Sequence, residues 1–165
     1  SALYGAIVAQ ARQRIFYRDY GIPDTVDGRF ELIVLHLVLL LRRFDREESL
    51  RNTGQGVFDA FCRDMDHNLR EMGVSDLSVG RRVRAMWEAF NGRAHAYDTA
   101  LASGDAVALQ EALVRNVWRA APPPDGCAAA LARLAQTQAS CLDAQPFAAL
   151  AAGAAIFRPA AEAAA

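Results

Sequence analysis

Metal or acid–base chemistry in this chain would have to be built from three histidines, three cysteines and nineteen carboxylates. Their spacing offers neither. His36, His67 and His95 are scattered, with no H-x-x-x-H pair to close on one helix face. Cys62 and His67 are five apart, a step that turns them well away from each other on a helix. Asp64 and Asp66 are two apart and do not face each other. Asp24 and Asp27 precede Gly28 without the spacing or the terminal glutamate of a calcium loop. There is no G-x-S-x-G and no G-x-G-x-x-G, and the lone Gly54-Gln55-Gly56 carries no phosphate-binding argument. All 18 basic residues are arginine, so a Schiff-base lysine and a phosphate-loop lysine are both absent. The expectation is therefore no catalytic residue, no metal, no cofactor and no enzyme.

Surface chemistry remains. Arg81, Arg82, Arg84 and, further on, Arg93 give one helix a basic side, with Trp87 and Phe90 close by. Asp64, Asp66 and Arg70 give the preceding helix a polar edge. Arginine beside aromatic residues is the composition of recognition surfaces, but the spacing of Trp87 and Phe90 places both in a core first. The net charge of −1 argues against a general nucleic-acid binder, and DNA is not an expected partner. Cys62, Cys127 and Cys141 are far apart and odd in number, which fits packing positions in a reducing compartment better than disulfides. Ser1–Gln10 show no secretory pattern, and the missing initiator Met leaves an upstream segment open.

The elements that must position these residues are helical. Apolar residues step by three and four throughout, and no alternating strand pattern of useful length occurs. A first helix is expected over residues 3–20, stopped by Gly21 and Pro23. Asp24, Thr25 and Asp27 offer caps to a second, over residues 28–44. This one contains Leu32–Leu41 (LIVLHLVLLL), too short to span a bilayer and apolar on every side, hence the core helix of a bundle. His36 inside it reads as a core histidine with a hydrogen-bond partner. Thr53-Gly54-Gln55-Gly56 reads as a break, followed by a third helix to Met72. Asp76 and Ser78 cap a fourth, over residues 79–102, with Val79, Val83, Met86, Trp87, Phe90 and Tyr97 on its apolar side. A fifth covers residues 106–119 before Pro122-Pro123-Pro124. Alanine supplies 34 residues, 19 of them after position 120, where a sixth and a short seventh helix could pack closely. The expected fold is all-α: one compact bundle of about six to seven helices. Residues 1–120 form its main helical domain, 121–158 Ala-rich helices pack on the same domain, and 159–165 fray.

Three strings together resemble the ubiquinol–cytochrome c chaperone family: residues 16–30 (FYRDYGIPDTVDGRF), Leu35-His36-Leu37, and residues 64–80 (DMDHNLREMGVSDLSVG). The likeness continues through Arg84, Met86, Phe90, Gly92, Arg93 and Ala96-Tyr97, and covers residues 3–118. The family tends to carry Lys where Arg81 and Arg84 stand, which keeps the charge with different geometry, and an aromatic where Asn91 stands. The resemblance implies an all-helical, non-catalytic chaperone domain of bacterial type for respiratory complex III, the cytochrome bc complex. It implies a client, newly made cytochrome b, and a small partner subunit. It also places the chain in the cytoplasm, resting peripherally on the inner membrane.

On that expectation Asp64, Asp66, Arg70, Arg81, Arg84 and Arg93 contact the partner, whereas Pro23, Asp24, Asp27, Arg29, His36 and Trp87 hold the fold. Two other classes stay open. A helical isoprenoid or lipid enzyme would need an acidic cluster such as D-D-x-x-D, which is absent. A scaffolding module on the ribosome would use residues 81–93 as its footprint.

Overall fold

A computed structural model describes residues 1–119, 121–155 and 157–163. Among them there is no strand, and six helices of ten residues or more form one bundle. The bundle is organised around α3 (Val26–Asp45), which touches α1 (Ala2–Ala11), α4 (Arg51–Glu71), α5 (Asp76–Ser103), α6 (Ala106–Val117) and α7 (Cys127–Asp143). Every residue from Val34 to Leu40 is buried, His36 included, so the apolar run seen in the sequence is the axis of the core.

The first expected helix is two. α1 ends at Ala11, Gln13 turns extended, and α2 covers Arg14–Arg18. The break puts polar side chains to work. Tyr17 donates its hydroxyl to the Ala11 carbonyl freed at the turn, 3.0 Å away. Gln13 donates to Gln10 Oε1 at 2.7 Å and accepts from the Ala160 backbone N–H at 3.0 Å. Gly21 then takes a positive φ of 64° under Pro124, in a space that a Cβ could not enter. Thr25 caps α3, its hydroxyl oxygen accepting from the Gly28 N–H at 3.1 Å.

The expected break at Thr53–Gly56 is absent: after a 3₁₀ turn (Glu48–Leu50), α4 runs through both glycines. Gly54 faces Leu41 and Phe44 of α3 at contact distance, so here a missing side chain brings two helices together instead of ending one. Val57, Phe61, Met65 and Leu69 form the buried side of α4. Phe61 meets the rings of Tyr4, Phe30, Phe58 and Phe90 at centroid distances of 6.1–6.4 Å. α5 spans 28 residues and ends on left-handed Gly104.

The Ala-rich α7 packs on α3 and α6 through Leu131, Ala132, Leu134, Ala135 and Ala139, all buried. α8 (Phe147–Ala151) and α9 (Ala160–Ala163) follow, and α9 rests against α2 and α7 with Ala160 and Ala163 buried. Positions 120 and 156 and the last two residues, which fall within the expected domain limits, lie outside the described residues. No described helix is long and apolar enough to cross a membrane.

Candidate functional site

The first half of α5 stands away from the bundle core. The buried stripe of α5 as a whole is Val79, Phe90, Tyr97 and Ala100, of which only Val79 lies in that half. At 100° per residue, Trp87 lies roughly 60–80° off that stripe. Trp87 is accordingly 50% exposed rather than a core residue. Leu77, further round, is 90% exposed, and Met72 before the helix is exposed as well. Arg81, Arg82 and Arg84 are exposed and form no ion pair among the described residues. Arg81, Arg84, Leu77 and Trp87 share one side of the helix, with Glu88 among them. Sequence reasoning passed over Leu77; the signal was its position outside the three-and-four spacing of Val79, Val83 and Met86.

The other expected contact residues are engaged internally. Arg93 forms a two-pronged ion pair with Glu31, Nε to Oε1 at 2.6 Å and Nη2 to Oε2 at 2.7 Å, and donates to the Ala89 carbonyl. Glu31 has no accessible surface, so Arg93 ties α5 to α3 and is not presented on the open face. Arg119, in left-handed backbone at φ 52°, adds a contact to Glu31 at 3.2 Å and to Asp27 at 3.6 Å. Asp64 accepts the Tyr4 hydroxyl at 2.6 Å; burial and then this carboxylate hold the phenol well above its ordinary pKa. Arg70 bridges Asp66, at 2.9 Å, and Asp76, pinning the end of α4 to the start of α5. Those two bonds raise its already high pKa further.

Around the start of α3, Asp24 pairs with Arg29 at 2.7 Å on the surface, and the exposed Pro23 directs its carbonyl at Gly28. His36 Nδ1 donates to the Leu32 carbonyl at 2.7 Å, and burial pushes its pKa down to about 4. Asp64 and Asp66 thus serve different partners, and no group of three metal-binding side chains occurs among the described residues.

Between α3 and α5 runs a groove of about 580 Å³. Val38, Leu41, Phe90 and Ala94 form its apolar floor, and Arg42 and Asp98, paired at 2.9 Å, stand at its edge. Asn91 also lines it. Trp87 precedes Asn91 by four positions and Arg84 by seven, so both continue the same side of α5 beyond the groove. The arrangement is a groove with an apolar floor and charged walls, extended by an aromatic and by guanidinium groups that form no ion pair among the described residues, suited to holding a polypeptide.

Residues 18–157 match the family described as ubiquinol-cytochrome C chaperone. Ubiquinol-cytochrome c reductase complex assembly factor 1 of Drosophila melanogaster is 28% identical over 153 residues, 87% of this chain and 58% of that protein. The Xenopus laevis assembly factor 1 is 24% identical over 116 residues, 70% of this chain and 58% of that protein. The chain therefore spans 58% of the length of each of these relatives. The crystal structure of the Cbp3 homolog from Brucella abortus matches with a TM-score of 0.89 at 36% identity, over 98% of this chain and 89% of that one.

Proposed function

Because the chain belongs to the ubiquinol–cytochrome c chaperone family, we propose that it is a non-catalytic assembly chaperone for a ubiquinol–cytochrome c reductase. Its client in this reading is newly made cytochrome b, held alone or together with a small partner subunit. It works at the cytoplasmic face of the inner membrane, as a peripheral protein close to the ribosome. The observation that carries the reading is the family match across residues 18–157. What supports a binding role is the side of α5 bearing Leu77, Arg81, Arg84 and Trp87, continuous with the α3–α5 groove.

The contact set follows from which side chains are free. Arg81, Arg84, Trp87 and Leu77 reach the client directly. Asp66 and Arg70 set the angle at which α4 delivers α5, and Arg93 and Asp64 act by holding the elements in place. Surface charge changes away from packing leave stability within about 0.5 kcal/mol, so function and folding separate at Arg81 and Arg84. Deletion of the gene is expected to deplete cytochrome b and the assembled reductase. Complementation with the parent chain restores both, and complementation with Arg81→Glu/Arg84→Glu does not, although the variant accumulates normally. Unchanged levels of cytochrome b and reductase in the deletion strain would refute the proposal.

A further inference from the structure

Residues 157–160 (Phe-Arg-Pro-Ala) cross a slot walled by α1, α2 and α7, and the slot grips them by their backbone. The Arg158 carbonyl accepts from Gln10 Nε2 at 2.8 Å and from Gln138 Nε2 at 2.7 Å. The Arg158 N–H donates to Gln138 Oε1 at 2.9 Å, so one buried carboxamide holds both polar groups of one residue. Two positions on, the Ala160 N–H donates to Gln13 Oε1 at 3.0 Å and its carbonyl accepts from the Tyr20 hydroxyl at 3.2 Å. Gln10, Gln138 and Tyr20 are all buried. Buried carboxamides are costly unless every polar atom is matched; the backbone of this short segment matches both polar atoms of Gln138 and the Nε2 of Gln10, whose Oε1 is met by Gln13.

The side chains of the segment divide into two sets. Phe157 turns inward, its ring edge-on to His36 at 5.3 Å, and Ala160 is fully buried. Arg158 and Pro159 face solvent. As the residue before a proline, Arg158 is held to extended backbone. Where an extended peptide is recognised, main-chain bonds supply affinity and side-chain pockets supply selectivity; here the two inward side chains stand three positions apart. An open surface depression of about 180 Å³, lined by Ile15, Tyr20 and Ala130, lies beside Ala160.

We propose that the α1–α2–α7 slot is a peptide-docking site for an extended segment of the pattern aromatic–any–proline–small apolar, and that residues 157–160 fill it in cis as a replaceable occupant. The site lies apart from the α5 face, and the inference does not rest on the chaperone reading. A tethered occupant competes at an effective concentration near the millimolar range, so a ligand in trans binds visibly once the cis segment is weakened.

The test uses the full chain and a fluorescein-labelled peptide copying residues 154–163, followed by fluorescence anisotropy. Phe157→Ala is expected to tighten binding of the peptide at least tenfold relative to the unaltered chain. Pro159→Gly, at an exposed position, loosens the cis segment through chain entropy and gives the same direction of change should Phe157→Ala fail to fold. Adding Gln10→Leu to either opened chain lowers binding at least tenfold. A peptide with alanine in place of Arg158 binds within twofold of the parent peptide, and one with alanine in place of Phe157 does not bind. The proposal is overturned if no folded, opened chain binds the peptide, or if binding is indifferent to Gln10→Leu.

Discussion

Glu31 shows how much of this protein is settled by single residues. It has no accessible surface, and its charge is met by Arg93, itself 14% exposed in its side chain, and by Arg119. Removing one partner of a buried ion pair leaves the other charge stranded, at about 3–5 kcal/mol. Arg93→Ala is thus expected to lower the unfolding free energy by about 3 kcal/mol, read from urea denaturation. His36 gives a second prediction. Its folded pKa, about 4, lies below the ordinary histidine value because burial opposes the charge. The unfolded state then takes up a proton that the folded state refuses. Stability is complete above about pH 6.5 and falls as pH drops toward 4, by up to ~1.4 kcal/mol per unit. Unfolding free energies between pH 7 and pH 5 should show this slope, and His36→Leu should remove it.

At the scale of elements, spacing announced some features and concealed others. The run Leu32–Leu41 reads as a core helix from sequence alone, because a helix apolar on all sides has only one place to go. The division of α1 from α2 was hidden, since it is stabilised by Ala160, far along the chain, accepting no part in any local pattern. The glycines of Thr53–Gly56 looked like a stop, yet Gly54 is where α4 meets α3. Arg93 looked like a surface arginine because its partner Glu31 is distant in sequence. Trp87 lies near the edge of the apolar side of α5, where spacing cannot separate core from surface. The turn between α2 and α3 carries its own prediction. Gly21 combines a φ of 64° with close packing under Pro124. Gly21→Ala should therefore cost about 2 kcal/mol, from backbone strain of the 1–3 kcal/mol class alone, and thermal unfolding would measure it.

For the whole molecule, cohesion comes from α3 touching five other long helices and from charge links that cross between them. Arg42 of α3 pairs with Asp98 of α5 at 2.9 Å and approaches Asp143 at 3.8 Å, where Arg46 also binds at 2.9 Å. The all-helical bundle followed from composition and periodicity. The tertiary meeting points did not, because alanine marks close approach without naming a partner. Ala135 of α7 is one such point, fully buried in the layer against α3 and α6. Ala135→Leu overfills it and is expected to destabilise the chain by about 1–3 kcal/mol, seen as a lowered midpoint in denaturant.

The two tryptophans occupy opposite situations. Trp118 is buried, its indole N–H donating to the Gly21 carbonyl at 3.1 Å, while Trp87 is half uncovered on α5. Their intrinsic emission consequently separates into two populations. A collisional quencher such as iodide reaches one indole and spares the other. Whatever settles on α5 would shield the accessible indole and shift its spectrum to the blue, so the molecule carries its own optical gauge of occupancy without any attached dye.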